Sequence, residues 1–300
     1  MGYDTSDFDI KENNIHDILP DLRKKDFVFI ALHGTFGEDG SIQKILEESK
    51  INYNGSSFLS SELCFDKHKA KMVVDSLGDN TPAWRCFDNL SELYPDMTYD
   101  DLYYKITKPK GDELKFRGFD LSSKLVIKPN KQGSSIGFNI VENFQSLWSV
   151  QNHSIKNPLT SSFDHDDSVI VEEYIEGREI TVSILGEDSL PIVEIQPSND
   201  VYDYEAKYTR GASNYICPAN LNQSLSNGIR RTALKIHQLM GCSVYSRVDF
   251  RLDKDNNFWF LEINTLPGMT ETSLFPMAAN IVGLSFEDLI DKIIKLSLEK

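Results

Sequence analysis

The sequence predicts a mixed α/β protein, α+β overall, and three observations carry that prediction. A continuous apolar run ending in glycine, DFVFIALHG (26–34), leads into the amphipathic stretch SIQKILEES (41–49) and a short apolar segment, INYNGSS (51–57). Short β-rich runs then fill the middle of the chain: KLVIKP, FNIV, SVIVEEYI, REITVSILG and LPIVEIQP. Late in the chain, two alternating segments, SVYSRVDFRL and NFWFLEIN, flank the turn-like DKDNN. Strand–helix–strand followed by meandering strands is an α/β unit joined to antiparallel sheet.

Taken in order, the 26–34 run is expected to be a buried parallel strand, with His33 and Gly34 at its carboxyl end, where open α/β sheets hold ligands. About 25 polar residues precede it, with at most one weak strand, GYDTSDFDI. Ile42, Ile45 and Leu46 recur at helical spacing, with Ser41 as the expected N-cap. Residues 51–57 form the second strand. SELCFDKHKAKMVVDSLG (61–78) reads as helix, and the stretch to residue 120 as polar connection. KLVIKP, the loop NKQGSSIGF (130–138) and FNIV make strand–loop–strand. DDSVIVEEYIEG and REITVSILG are strands joined by a Glu-Gly turn, and LPIVEIQP is another. Residues 201–221 read as a long polar and aromatic connection. LSNGIRRTALKIHQLMG (225–241) is an amphipathic helix stopped by Gly241. FEDLIDKIIKLSLE (286–299) closes the chain as a helix with Phe286, Leu289, Ile290, Ile293 and Ile294 on one face.

The totals exclude several classes. Lys+Arg is 31 against Asp+Glu 46, a net charge of −15, so nucleic acid and anionic membrane surfaces would repel the chain. No apolar run is long enough for a bilayer, and the N-terminus lacks a signal-peptide pattern. The four cysteines, Cys64, Cys86, Cys217 and Cys242, are scattered, so they read as reduced thiols rather than a zinc site or disulfide frame. The expected compartment is the cytoplasm.

Chemistry concentrates in two places. In RVDFRL, Arg247, Asp249 and Arg251 share one face and Val248, Phe250 and Leu252 the other. In FWFLEIN, Glu262 and Asn264 share a face opposite Trp259, Leu261 and Ile263. With DKDNN as the turn, Asp249 lies across from Glu262 and Arg247 across from Asn264. Opposed carboxylates suit a cation between them, and oxygen-only ligands suit Mg²⁺ or Mn²⁺; a solvated hairpin face is the plainer alternative. The loop 130–138 is not a Walker loop, because no lysine follows its second glycine and a strand follows it. It reads either as a Gly-Ser turn or as a hairpin lid whose N–H groups close on phosphates, with Lys128 supplying charge.

Taken together, a lysine-ended strand with a Gly-rich hairpin, a VEEYIEG strand and an Asp…Glu-x-Asn hairpin resemble the ATP-grasp pattern. ALHGTFGEDGSIQ, IKPNKQGSSIG, YDYEAKY, SRVDF and LEINTLPGMTETSLFP, in that order and spacing, resemble the D-alanine–D-alanine ligase family over nearly the whole chain. The resemblance implies three parts: an N-terminal α/β domain (1–58), a central ATP-grasp subdomain (59–171) and a C-terminal catalytic subdomain (172–300). It implies ATP and two Mg²⁺ (or Mn²⁺) as cofactors, D-alanine as substrate, an acyl-phosphate intermediate, a role in peptidoglycan precursor synthesis and a homodimer.

Residue by residue, the resemblance implies that Lys67 and Lys128 contact ATP phosphates, while Glu172, Glu173 and Ile175 line the adenine site and Glu179 holds the ribose. Asp249, Glu262 and Asn264 become the metal ligands. Arg247 and the Gly268 backbone form the oxyanion site. Ser273 and Leu274, at a helix start, hold the carboxylate of the second D-alanine. YDYEAKYTRGASNY matches a closing loop in which Lys207 reaches the γ-phosphate and Tyr208 bonds Ser134 in the glycine loop. His33 matches a substrate-contacting histidine. Family members open with a strand, a Gly-rich loop and a helix, and that loop supplies a glutamate that binds the amino group of the first D-alanine. Here the match begins at GYDTSDFDI, which resembles the family's second strand. The expectation is a shortened first domain in a chain that binds ATP but ligates poorly. The alternatives are a related ATP-grasp amino-acid ligase of another pathway and a nucleotide-binding homologue.

Overall fold

In the computed structural model, residues 2–89, 98–107, 120–133, 136–153, 158–197 and 213–300 are described. Two antiparallel sheets carry the architecture. The smaller runs β1-β4-β2-β3 and the larger β10-β9-β5-β7-β8, with β6 paired to β5. In chain order the elements are α1 (Ile15–Leu22), α2 (Ser41–Glu48), α3 (Phe58–Phe65), α4 (Lys67–Ser76), β1 (Trp84–Phe87), α5 (Tyr99–Thr107), β2 (Leu125–Pro129), β3 (Asn139–Val141), α6 (Phe144–His153), α7 (Pro158–Phe163), β4 (Val169–Glu173), β5 (Arg178–Leu185), β6 (Asp188–Ser189), β7 (Val193–Pro197), β8 (Ser213–Ile216), α8 (Gln223–Leu239), β9 (Tyr245–Leu252), β10 (Phe258–Asn264), α9 (Leu274–Ile281) and α10 (Phe286–Leu298).

Alternation along β5 and β9 decides which face is core. Ile180, Val182 and Ile184 on β5, with Val248, Phe250 and Leu252 on β9, bury against Ile229, Ala233 and Ile236 of α8 and Ala70 and Val74 of α4. Their neighbours Glu179, Thr181, Arg247 and Asp249 then point to the other face. The smaller sheet buries Leu125, Ile127, Val169 and Val171 against Leu102 and Ile106 of α5 and Phe144 and Leu147 of α6. A third core joins the N-terminal region to the C-terminal helices, through Ile15, Leu22, Ile42 and Leu46 on one side and Phe275, Ala278, Leu289 and Ile293 on the other. On α10, Leu289 and Ile293 are fully buried, and Ser297, one turn beyond Ile293 on the same face, is buried with them.

The N-terminal region departs most from expectation. GYDTSDFDI forms no strand; a helix, α1, follows it instead. The 26–34 run is not a continuous strand: Val28 and Tyr53 form an isolated parallel bridge, with Val28 N–H donating to Asn52 O at 2.8 Å. The next rung is made by a side chain. Asn54 accepts the Ile30 N–H through Oδ1 at 2.5 Å and donates through Nδ2 to Ile30 O at 3.2 Å. An amide group offers the same donor and acceptor as a peptide, so it stands where a second strand's backbone would. Nδ2 also donates to the buried Tyr245 hydroxyl at 2.7 Å, tying this region to β9.

Other boundaries move for identifiable reasons. Ser41 is the first helical residue of α2, not its cap. The cap is Gly40 at φ 92°, where a side chain would also put a Cβ 2.6 Å from Phe58 O. The expected 61–78 helix is two helices, α3 and α4. They break at Asp66, whose extended backbone lets its carboxylate cap α4 by accepting Lys69 N–H at 3.0 Å. The polar connection to residue 120 contains β1 and α5, and β8 lies inside the 201–221 stretch. The Glu-Gly turn does not make a hairpin: β4 and β5 belong to different sheets. Gly177, at φ 146°, lets the chain cross under β9, because a Cβ there would lie 2.0 Å from Leu252 O. All four cysteines are free, although the Cys64 and Cys242 sulfurs lie 3.5 Å apart.

Candidate active site

The hairpin of β9 and β10 places the acidic oxygens. Its five-residue turn closes Phe258 opposite Leu252 and Phe260 opposite Phe250, and on that register Asp249 would face Leu261. A β-bulge between Phe260 and Glu262 adds one residue, so Asp249 faces Glu262 and Arg247 faces Asn264. The expected cross-strand pairs therefore form, but through a bulge the alternation pattern does not contain. The bulge also corrects the core face. Phe260 and Ile263 are buried, at 1% and 3% exposure, whereas Leu261, expected in the core, lines the cleft beside Glu262.

Asp249 is 8% exposed and both its oxygens are held. Arg247 donates from Nε at 2.9 Å and from its terminal nitrogen at 2.8 Å, and the Thr181 hydroxyl donates at 2.5 Å. Asn264 accepts Leu266 N–H through Oδ1 at 2.8 Å and donates through Nδ2 to Glu38 at 3.1 Å. Glu262 lies 3.5 Å from Lys67 Nζ. Two carboxylates and an amide oxygen on one strand-pair face fit a hard divalent cation, which takes oxygen ligands and leaves positions for phosphate oxygens. Among the described residues, no group of three or more His, Cys, Asp and Glu side chains gathers as a metal site.

The smaller sheet supplies the opposite wall. Glu172 on β4 pairs with Val126, which sets it diagonally to Lys128, and Lys128 Nζ donates to Glu172 Oε1 at 2.5 Å. Lys71, one helical turn beyond Lys67 and wholly buried, brings Nζ to 2.9 Å from Glu172 Oε2. Burial alone would raise the Glu172 pKa; Lys128 and Lys71 reverse this and hold it below the usual carboxylate range. Burial in turn lowers Lys71 to about 8, against the opposing pull of Glu172.

Asn130 locks the start of the glycine loop to α4. Its Nδ2 donates to Asp66 at 2.9 Å and its Oδ1 accepts His68 N–H at 2.8 Å. Lys67 Nζ donates to Gln132 O at 2.6 Å, so the cation sits under the loop. At the far end, Arg251 donates to Ile175 O at 3.0 Å, stacks 5.3 Å from the Tyr174 ring centroid and lies 3.6 Å from Glu179. Glu173 turns its carboxylate to Asp120 N–H at 2.8 Å.

His33 approaches from the N-terminal region, its Nδ1 3.7 Å from Glu38. Glu38, by hydrogen bond and charge, raises the His33 pKa and favours the protonated ring. Glu38 is 8% exposed and also accepts Gly34 N–H at 2.9 Å. Ser273 is the N-cap residue of α9 but makes no capping bond to the helix. Its hydroxyl instead accepts Thr270 N–H at 3.0 Å. Gly268 lies against it: a Cβ at that position would come within 3.1 Å of Ser273 Oγ.

All these walls enclose one cleft of about 460 Å³. It is lined by His33, Lys67, Lys128, Glu172, Glu173, Ile175, Glu179, Arg247, Asp249, Glu262, Asn264, Gly268, Ser273 and Leu274, every expected site residue among the described ones. Ser134, Lys207 and Tyr208 lie outside the described residues. Sequence reading missed Glu38, Tyr174 and Arg251, which line the cleft, and Thr181 and Lys71 behind it. Glu38 lies in a GEDG turn with no periodicity to single it out, and Lys71 looks like any surface lysine of a charged helix. No helix among the described residues is long and apolar enough to cross a membrane.

Comparison with known proteins agrees with this architecture. Residues 118–295 match the family described as D-ala D-ala ligase C-terminus, and residues 5–56 match D-ala D-ala ligase N-terminus. A curated D-alanine–D-alanine ligase of Halalkalibacterium halodurans is 37% identical over 304 residues, covering 100% of this chain and 90% of the relative. Among solved structures, the D-alanine–D-alanine ligase of Bacillus anthracis complexed with ATP superposes with a TM-score of 0.76 at 32% identity, covering 96% of this chain and 84% of that one. The VanG D-Ala:D-Ser ligase of Enterococcus faecalis superposes with a TM-score of 0.72 at 33% identity, covering 91% and 73%. The protein belongs to the D-alanine–D-alanine ligase family and has its ATP-grasp fold.

Proposed function

We propose that the cleft joins two D-alanines at the expense of ATP, through an acyl phosphate, to supply peptidoglycan precursor in the cytoplasm. The observation that carries this reading is the convergence on one cleft of a cationic wall, Lys67 and Lys128, and an oxygen-ligand wall, Asp249, Glu262 and Asn264. The nucleotide would lie between the two sheets, its base toward Glu172, Glu173 and Ile175 and its ribose toward Glu179. Arg251, bonded to Ile175 O and close to Glu179, would keep that end of the cleft in shape.

Asp249, Glu262 and Asn264 would hold Mg²⁺ or Mn²⁺, which when bound neutralises charge on the phosphate oxygens. The chain's own residues orient and exclude. Arg247, fixed by two hydrogen bonds to Asp249, and the Gly268 backbone would face the oxyanion that forms when the second amine attacks. His33, favoured as imidazolium by Glu38, would offer positive charge to substrate. Ser273 and Leu274 at the start of α9 would hold the second carboxylate. Lys207 and Tyr208 would close the loop over Ser134 and keep water from the acyl phosphate. We assign residues 1–58, 59–171 and 172–300 to the three subdomains and propose a homodimer.

The test is phosphate release by the purified chain with ATP, Mg²⁺ and D-alanine, against D-serine as the second amine. Phosphate and D-alanyl-D-alanine appearing in equal amounts support the reading. A mixed dipeptide as the preferred product moves the second substrate toward D-serine, the reading that similarity to VanG favours. Phosphate release indifferent to either amino acid contradicts both.

A further inference from the structure

Glu172 is the most enclosed acidic group of the cleft, at 2% exposure, and two lysines share it. Lys128 occupies Oε1 at 2.5 Å and Lys71 approaches Oε2 at 2.9 Å. The two cations differ in what else they can do. Lys128 lines the cleft; Lys71 does not. Lys71 is 0% exposed and is anchored from behind, donating to Thr81 Oγ1 at 2.7 Å while that hydroxyl donates to Phe260 O at 3.0 Å. Its ammonium also lies 5.3 Å from the Trp84 ring centroid.

A buried carboxylate left without a cation is strongly disfavoured. Lys128 therefore cannot turn wholly to a phosphate unless something else stays on Glu172. Lys71 is placed to stay: its helix, its threonine anchor and its burial leave it nowhere else to go. The approach of Lys71 to Oε2 is an ion pair without hydrogen-bond alignment, so that oxygen keeps an unpartnered lone pair though fully buried. Glu172 lines the cleft, and once Lys128 withdraws from Oε1 a ligand donor would reach the carboxylate from that side. An ionised carboxylate accepts from an exocyclic amino group and repels a carbonyl oxygen in the same position.

We propose that Lys71 is a positioning residue of the nucleotide site: it holds Glu172 in place from outside the cleft, frees Lys128 for phosphate and thereby sets the preference for an amino-bearing purine. This deepens the ligase reading and rests on it. The variants are Lys71→Met, Glu172→Gln and the double variant, assayed with ATP and with ITP, whose base carries a carbonyl where adenine has the amino group. Thermal melting reports folding. In Lys71→Met, KM for ATP is expected to rise tenfold or more and the ATP-over-ITP preference in kcat/KM to fall fivefold or more, with KM for D-alanine within twofold. In the Glu172→Gln background the same substitution is expected to add less than twofold. A folded Lys71→Met with KM for ATP and base preference within twofold of the parent overturns the proposal, as does an undiminished Lys71→Met effect without Glu172. If the variant does not fold, a crystal structure of the unaltered chain with Mg-ADP decides. Lys71 still on Glu172 and Lys128 moved to phosphate supports the proposal; Lys128 still on Glu172 overturns it. If the unaltered chain binds neither ATP nor ADP, the ligase reading itself fails, a result distinct from all of these.

Discussion

Asp249 is held by Arg247 and Thr181 and faces Glu262, so its charge is both neutralised and aimed. Replacing it by Asn keeps the shape and removes the charge that a divalent ion needs. D249N is expected to lose at least ~10²-fold in kcat for D-alanine-dependent phosphate release. Weaker pairing with Arg247 should cost about 1–3 kcal/mol in urea unfolding. A second residue governs acid stability. His237, 3% exposed on α8, shares a 2.7 Å hydrogen bond with Ser246, and burial lowers its pKa to about 4. The unfolded chain, with His near 6.5, binds the proton first as pH falls. Its contribution is thus complete above ~pH 6.5 and is lost toward ~pH 4, up to about 3 kcal/mol. Urea midpoints measured across that window should slope less in H237Q than in the parent; equal slopes would assign the acid loss elsewhere.

At the scale of elements, Asn54 replaces a strand rung with a side chain and bonds Tyr245 besides. N54A leaves a buried N–H, a carbonyl and a hydroxyl short of partners, so unfolding stability should drop by about 1–3 kcal/mol. Hydrogen exchange at the Ile30 amide should speed up selectively; unchanged exchange there would mean the rung carries no weight. Asn54 also shows where sequence reading stops. DFVFIALHG has a strand's composition, but whether a backbone or a side chain completes the ladder depends on tertiary contact. The hairpin teaches the same lesson. Its pairing of Asp249 with Glu262 was expected from DKDNN as the turn, and the pair forms. The bulge that creates the pairing was not, since alternation over FWFLEIN puts Leu261 in the core. WRCF and SNYI were missed because four-residue strands inside polar stretches carry too little periodicity to register. The helix α8 was legible because its apolar stripe and terminal glycine agree, while its Asn222 cap, unread in the sequence, starts it at Gln223.

Across the whole molecule, the cleft exists because two sheets each bury one face on helices and turn the other toward the gap. That arrangement followed from family resemblance rather than from any pattern, since β4 and β5 are adjacent in sequence and belong to different sheets. Part of the cleft lining was readable because Lys128 ends a strand and Asp249, Glu262 and Asn264 alternate along two. Groups acting from behind, Lys71 and Thr181, were not, because only packing distinguishes them from surface residues. A ligand gripped by both sheets should stabilise them jointly: Mg-ADP at about 100 times its Kd should add about 2.7 kcal/mol and raise the melting temperature, and an unmoved melting curve would count against a shared cleft. Divalent-assisted ligation between the two walls is tested most directly by a Mg²⁺ titration of D-alanyl-D-alanine formation at fixed ATP, run on the parent and on E262Q. No dipeptide is expected without a divalent ion, one phosphate per dipeptide with it, and at least ~10²-fold slower turnover in E262Q. Dipeptide formed at an undiminished rate in excess chelator, or by E262Q, would refute a metal held by the β9–β10 hairpin.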